Sequence, residues 1–327
     1  MRPMTLDAET ITSAVTLACR APSLYNCQPW RWVAEGGVIE LFADHSRIPH
    51  ATDTSGREVI LSCGAALNHL CVAMAARGWD GTIERFPNPN NPDHLASVDF
   101  SALSFVTDAH RHRAEAILRR RTDRLPMAAP ADWESFETSL RSTFSPEDAI
   151  LTVLPQDARP RLAEASQLTE ALRRYDSSYH AELAWWTSGL EQDEGMPPGS
   201  LPTPDENRLV GVDREFPATG RGEQRSSVGA DHARIVVLST TDDTADEVLG
   251  CGEVLSTVLL ECVMADLVTC PLSHMIELVA SRDIVADLIA RTGLPQLLVR
   301  VGRVPNGEAI RAVTPRRPIT EVLEFRG

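Results

Sequence analysis

The 327 residues allow one large domain or two ordinary ones, and 43% apolar with 24% charged residues excludes a disordered or low-complexity chain. A formal charge of −15, from 46 acidic against 31 basic residues, repels nucleic acid and anionic membrane surfaces. Neither is an expected partner, and an anionic ligand must meet a local basic cluster. No leader pattern and no unbroken run of about 18 apolar residues occurs, which makes the cytoplasm the expected location. Seven cysteines without a CxxC pair read as buried free thiols, and the nine histidines show no zinc spacing, so no metal site is expected.

In chain order, the first element is a helix over about Ala8 to Ala18, where Ile11, Ala14, Val15 and Ala18 recur at helical spacing behind Asp7 and Thr10 as capping residues. The segment ACRAPSLYNCQPWRWV follows. Trp30, Trp32 and Val33, then Val38, Ile39, Leu41 and Phe42, read as two strands joined at Gly36-Gly37. A second helix lies in GREVILSCGAALNHLCVAMAARGW and is apolar almost all round, so other elements must cover it. A strand is expected next, in SVDFSAL near residue 100.

AEAILRRRTDRLP then sets Arg119, Arg120, Arg121 and Arg124 about Thr122 in a chain that is otherwise acidic. Planar guanidiniums offer paired donors to phosphate oxygens and the hydroxyl adds another, whereas the plain alternative is a solvated basic turn. From about Trp185 to Asp231 the chain is rich in Gly, Pro, Ser and charge without apolar periodicity, which predicts a long loop or lid. GCGEVLSTVLLECVMADLVT repeats the second helix 188 positions on, aligning Cys63-Gly64 with Cys251-Gly252 and Leu67 with Leu255. The strand QLLVRVGRV near residue 300 follows it. Short gapless matches also arise between unrelated core helices, so related halves and unrelated helices both stand at this point. Finally, TPRRPITEVLEF fixes Arg316 and Arg317 between Pro315 and Pro318, which keep the backbone extended and reduce the entropy lost on holding an anion.

Three of these segments carry a resemblance. RRRTDR resembles the phosphate-binding Arg-x-Ser-x-Arg start of nitroreductase-family flavoproteins, APSLYNCQPWRWV resembles their APSxxNxQPWxF segment, and TPRRPITEV resembles their carboxy-terminal arginine motif. The whole chain, from about residue 8 to 325, is similar to the Acg-like mycobacterial branch of NAD(P)H nitroreductases. In the ordinary family the arginine motif precedes APSxxN in a shorter chain that dimerises, and here the order is reversed. The resemblance therefore implies an α+β nitroreductase-like fold with two related halves mimicking the family homodimer, residues 1–112 with APSLYN and residues 113–327 with the phosphate site. A lid-like loop would span 186–231. One FMN per chain and a monomer are expected.

Carried over, the resemblance implies that Arg120, Thr122 and Arg124 hold the FMN phosphate with Arg316 and Arg317. Pro22, Ser23, Leu24 and Asn26 would approach from the other half, with Gln28 and Trp30 bracing that loop or touching the cofactor. For Trp30, core packing is the preferred reading. Leu272, Ser273 and His274 of CPLSHM fall where the family runs a loop along the flavin ring. A lone histidine is more often a satisfied structural group, and flavin chemistry needs no protein nucleophile, so no catalytic residue is assigned. Two functions follow: an oxidoreductase taking hydride from NADPH or NADH for a nitroaromatic or quinone acceptor, or a flavin-holding protein whose covered cofactor turns over slowly or not at all.

Overall fold

The expected first helix runs Ala8–Ala18 (α1), with the Asp7 carboxylate accepting from the Thr10 amide at 2.8 Å and Ile11, Ala14, Val15 and Ala18 on its buried face. The next two strands are Trp30–Glu35 (β1) and Val38–Ala43 (β2). They turn at Gly36 and Gly37, whose φ of 59° and 91° lie in the left-handed region that a tight hairpin of this hand requires. There follow α2 (Arg57–Ala75), β3 (Trp79–Arg85), β4 (His94–Ala102), α3 (Asp108–Arg119), α4 (Trp133–Arg141) and β5 (Ile150–Leu154). The chain continues with α5 (Arg159–Arg173), α6 (Ser177–Thr187), α7 (Pro204–Val210), β6 (Arg234–Thr240), α8 (Ala245–Met264) and β7 (Val268–Leu272). It ends with α9 (Val279–Leu288), β8 (Leu294–Gly302), α10 (Ile319–Val322) and β9 (Leu323–Arg326). The computed structural model describes residues 6–189, 193–212, 214–217, 229–305 and 313–327.

The strands form two sheets, in the orders β3-β4-β2-β1-β9 and β5-β6-β8-β7. Reversing the second gives β7-β8-β6-β5, the order of the first with each strand advanced by four. Every pair is antiparallel except β1 with β9. Both sheets also carry a register shift late in the corresponding strand, at Leu41/Phe42 in β2 and Leu238/Ser239 in β6. Each long helix is thus followed by two strands, of which the sequence disclosed one.

Between the sheets α2 and α8 pack along each other, and their contact is reciprocal. A Cβ on Gly64 would lie 2.1 Å from the Leu249 carbonyl oxygen, and one on Gly252 would lie 2.2 Å from the Leu61 carbonyl oxygen. Each of these pairs is related by the same 188-residue shift that separates the hydrogen-bonded Asn68 and Ser256. A surface that meets its own equivalent in this way is the mark of a two-fold axis. Beyond the helices, Gly78 (φ 88°) and Asp266 (φ 55°) hold matching left-handed positions. Two related halves, and not two unrelated core helices, account for these pairs.

One expectation stands and one changes. By its mean hydropathy of 1.5, α2 is the one helix among the described residues long and apolar enough to cross a membrane, yet 72% of that stretch is buried inside the protein. It is a core helix. The 186–231 segment is not structureless: it begins inside α6 and contains α7, whose Thr203 and Glu206 form a reciprocal capping box behind Pro204. Residues 190–192, 213 and 218–228 of that segment lie outside the described residues.

Candidate functional site

After α1 the chain enters Arg20–Gln28, where Tyr25, Asn26 and Gln28 take φ of 50°, 59° and 52°. Three non-glycine residues in the left-handed region within four positions cost of order 1–3 kcal/mol each and persist only when their surroundings fix them. Here two remote segments do so, 193–195 and 315–317. The Asn26 Nδ2 donates to the carbonyl oxygens of Gly195 at 3.0 Å and Pro315 at 3.2 Å, Gln28 Nε2 donates to Asp193 at 2.8 Å, and Gln28 Oε1 accepts from the Arg317 amide at 2.9 Å. Within the loop, Ser23 Oγ accepts from the Gln28 amide.

This loop faces a pocket of about 470 Å3 lined by Arg20, Arg120, Arg121, Arg124 and Arg316, together with Thr122. Arg120 caps the end of α3 and is 5% exposed. Its NH2 donates to the Arg20 carbonyl, while its Nε and NH1 have no partner among the described residues. The Nε atoms of Arg20 and Arg121 are likewise buried and without a partner among the described residues. Arg316 donates to the carbonyl oxygens of Cys19, Arg20 and Ala21. Among the described residues none of the five arginines pairs with a carboxylate, whereas the buried Arg300 and Arg214 are paired with Asp231 and Glu277. Burial, reinforced by Arg20 and Arg121, pushes the Arg120 guanidinium down to about 9. Arg316 is held well below the usual arginine range by burial and then by Arg120. A concentrated, uncompensated positive charge with free donors is suited to a phosphate-like anion.

The pocket opens into a second cavity of about 750 Å3, the two sharing Pro22, Ser23, Thr122, Arg124 and Met196. One wall carries Leu24, Tyr25 and, from α2, Glu58, Leu61 and Ser62. The facing wall carries Leu255, Leu272, Ser273 and His274, and Met196, Arg214 and Phe216 from the 186–231 segment also line it. Arg214 is anchored by hydrogen bonding to Tyr179 at 2.6 Å, pairing with Glu277 and stacking over the Tyr25 ring at 5.0 Å. His274 is 1% exposed, exchanges a 2.9 Å hydrogen bond with Ser166, and is kept neutral by burial and then by Arg214. It is a satisfied structural group.

Eleven of the sequence-derived residues line one or both cavities: Pro22, Ser23, Leu24, Asn26, Arg120, Thr122, Arg124, Leu272, Ser273, His274 and Arg316. Three do not. Trp30 is fully buried in the first sheet's core, Gln28 braces the loop from behind, and Arg317 turns away to Asp44 and Glu321. Sequence reasoning passed over Arg20, Tyr25, Glu58, Met196, Arg214 and Phe216. Only Arg20 had a visible signal, as a further arginine beside the APS segment.

A two-sheet α+β fold with paired central helices and a cleft between its halves, basic at one end and apolar at the other, defines the class. No family model matches the chain. Among curated proteins it is 54% identical to the Mycobacterium tuberculosis protein named "Putative NAD(P)H nitroreductase acg", over 98% of this chain and 97% of that one. It is 50% identical to an uncharacterised protein of that organism over 97% and 93% of the two chains. It is 34% identical to another, "Putative NAD(P)H nitroreductase Rv3131", over 98% and 92%. The chain belongs to the nitroreductase family, in its Acg-like branch. Among solved structures, the FMN-dependent nitroreductase NfnB from Mycobacterium smegmatis, in complex with NADPH, overlaps 67% of this chain and 100% of its own at 17% identity and a TM-score of 0.42.

Proposed function

We propose that the chain binds one FMN and acts as an NAD(P)H-dependent oxidoreductase on a nitroaromatic, quinone or similar acceptor. The observation that carries this reading is the set of five arginines, unpaired with any carboxylate among the described residues, at the mouth of a largely apolar cavity. Arg120, Arg124 and Arg316, with the Thr122 hydroxyl, would hold the phosphate; Arg20 and Arg121 complete the charge. Pro22–Leu24 and Leu272–Ser273 would flank the ring and exclude water from it. The cofactor supplies the two-electron chemistry, so the protein's part is to bind, orient and shield. With both halves present in one chain, the active form is a cytoplasmic monomer.

A second reading has its own support. Met196, Arg214 and Phe216 line the cavity, and Arg214 is tied down by Glu277 and two tyrosines. Such a cover favours a protein that keeps FMN from solvent and exchanges electrons slowly. Anaerobic addition of NADPH or NADH to the yellow protein separates the two: fast bleaching of the flavin band supports the oxidoreductase, and bleaching by dithionite alone supports the flavin-holding protein. A colourless protein that refuses added FMN overturns both.

A further inference from the structure

Glu58 is a carboxylate with no counterpart among the phosphate-pocket residues. It stands at the start of α2, its side chain 5% exposed, and lines the apolar cavity. One oxygen, Oε1, accepts from Arg57 NH2 at 2.5 Å. Arg57 is itself immobilised by the Gln296 carbonyl at 2.8 Å and Gln296 Oε1 at 3.0 Å. Gln296 is in turn held by Thr240 and Asp243. The other oxygen, Oε2, accepts no hydrogen bond from the described residues and is not among the sealed buried atoms. One oxygen is fixed and the other is left at the cavity, the arrangement of an oriented acid.

We infer that Glu58 is the proton donor to an oxygen-bearing two-electron acceptor, of the quinone class, that enters this cavity. The inference rests on the FMN reading above. A quinone becoming a hydroquinone gains two electrons and two protons. Bound FMN in its reduced, anionic form would supply the hydride, and Glu58 Oε2 would give up the remaining proton as the O–H bond forms on the quinone oxygen. A solvent proton would then return to the carboxylate.

The charged groups around Glu58 are consistent with that task. Burial raises its carboxyl to about 7, opposed by Arg57 on its own helix and Arg214 on the covering segment, and aided by Asp53 from the preceding turn and Glu277 beyond His274. Arg124 and the neutral His274 line the same cavity. An acid with a pKa near the working pH can both give a proton and recover it.

Glu58→Gln keeps the shape and the Arg57 contact but removes the proton. Photoreduced protein, loaded with FMN, would be mixed anaerobically with benzoquinone in a stopped-flow instrument across pH 5–9. The wild type should slow as pH rises through about 7, and the variant should be slower by on the order of 100-fold below pH 7 and flat across that range. The flavin-free proteins give an independent readout. The folded carboxyl titrates above its unfolded value of about 4.3, so its contribution to stability is full below that pH and lost as pH rises to about 7. The melting temperature of the variant should therefore gain on the wild type between pH 4.5 and 7.5. Equal FMN retention with identical quinone profiles, or parallel melting curves, overturns the assignment of Glu58 alone; refusal of FMN by the wild type overturns the cofactor reading and this one with it.

Discussion

Five guanidiniums facing one pocket repel each other, and the buried Nε and NH1 of Arg120, without partners among the described residues, add a desolvation penalty. An anion that accepts from them relieves both. Each charged hydrogen bond to phosphate contributes on the order of 1.5–3 kcal/mol, so the Arg120→Ala, Arg316→Ala double variant should lose at least roughly 100-fold in FMN affinity. Fluorescence quenching on titration measures it. The rise in melting temperature that FMN confers on the wild type should shrink in the same variant. Much of this pocket was legible because residue types at fixed spacing carry the chemistry in themselves: RRRTDR and TPRRP name donors. Glu58 and Arg214 were not legible. A glutamate in a helix's first turn and an arginine in a polar stretch have ordinary local explanations, and their roles arise only when remote segments meet around them.

At the level of elements, the two glycines that bring α2 and α8 together set the narrowest tolerance in the fold. The Gly64→Ala change puts a methyl against the Leu249 carbonyl, which belongs to backbone that cannot swing aside. Overpacking of this kind costs about 1–3 kcal/mol or more. Thermal denaturation should show a lowered melting temperature for Gly64→Ala and Gly252→Ala, and none for Gly199→Ala, where the added carbon meets nothing within 4 Å. The limits of α1 were readable because cap and periodicity agree. That α7 was missed follows from a different cause. Its seven residues give no periodic signal, and only the Thr203-Pro204-Asp205-Glu206 capping pattern announced it. Pairing of α2 with α8 was implied by the family resemblance, since the alignment alone left unrelated helices equally open, and their crossing at a carbonyl-to-glycine contact belongs to three dimensions.

Across the whole molecule the internal symmetry is broken where the ligand would go. The 188-residue shift carries Ser62 and Ser273, which line the cavity, onto Gly250 and Arg85. There the Arg85 side chain lies against Gly250, 3.3 Å from where its Cβ would be, and pairs with Glu253 at 2.9 Å. The Arg85 side chain occupies part of the equivalent space. Titration of the apoprotein with FMN should therefore saturate at one per chain, and saturation at two would sink the single-site proposal. Residues 313–327 supply Arg316 to the pocket, offer the Pro315 carbonyl to Asn26, lay β9 beside β1 and bury Val322 at 1% exposure. An anion gripped by Arg316 thereby also fastens the end of the chain. Digestion from the carboxyl end by an exopeptidase should be slower in the presence of FMN, so that occupancy of the site is written into the lifetime of the polypeptide itself.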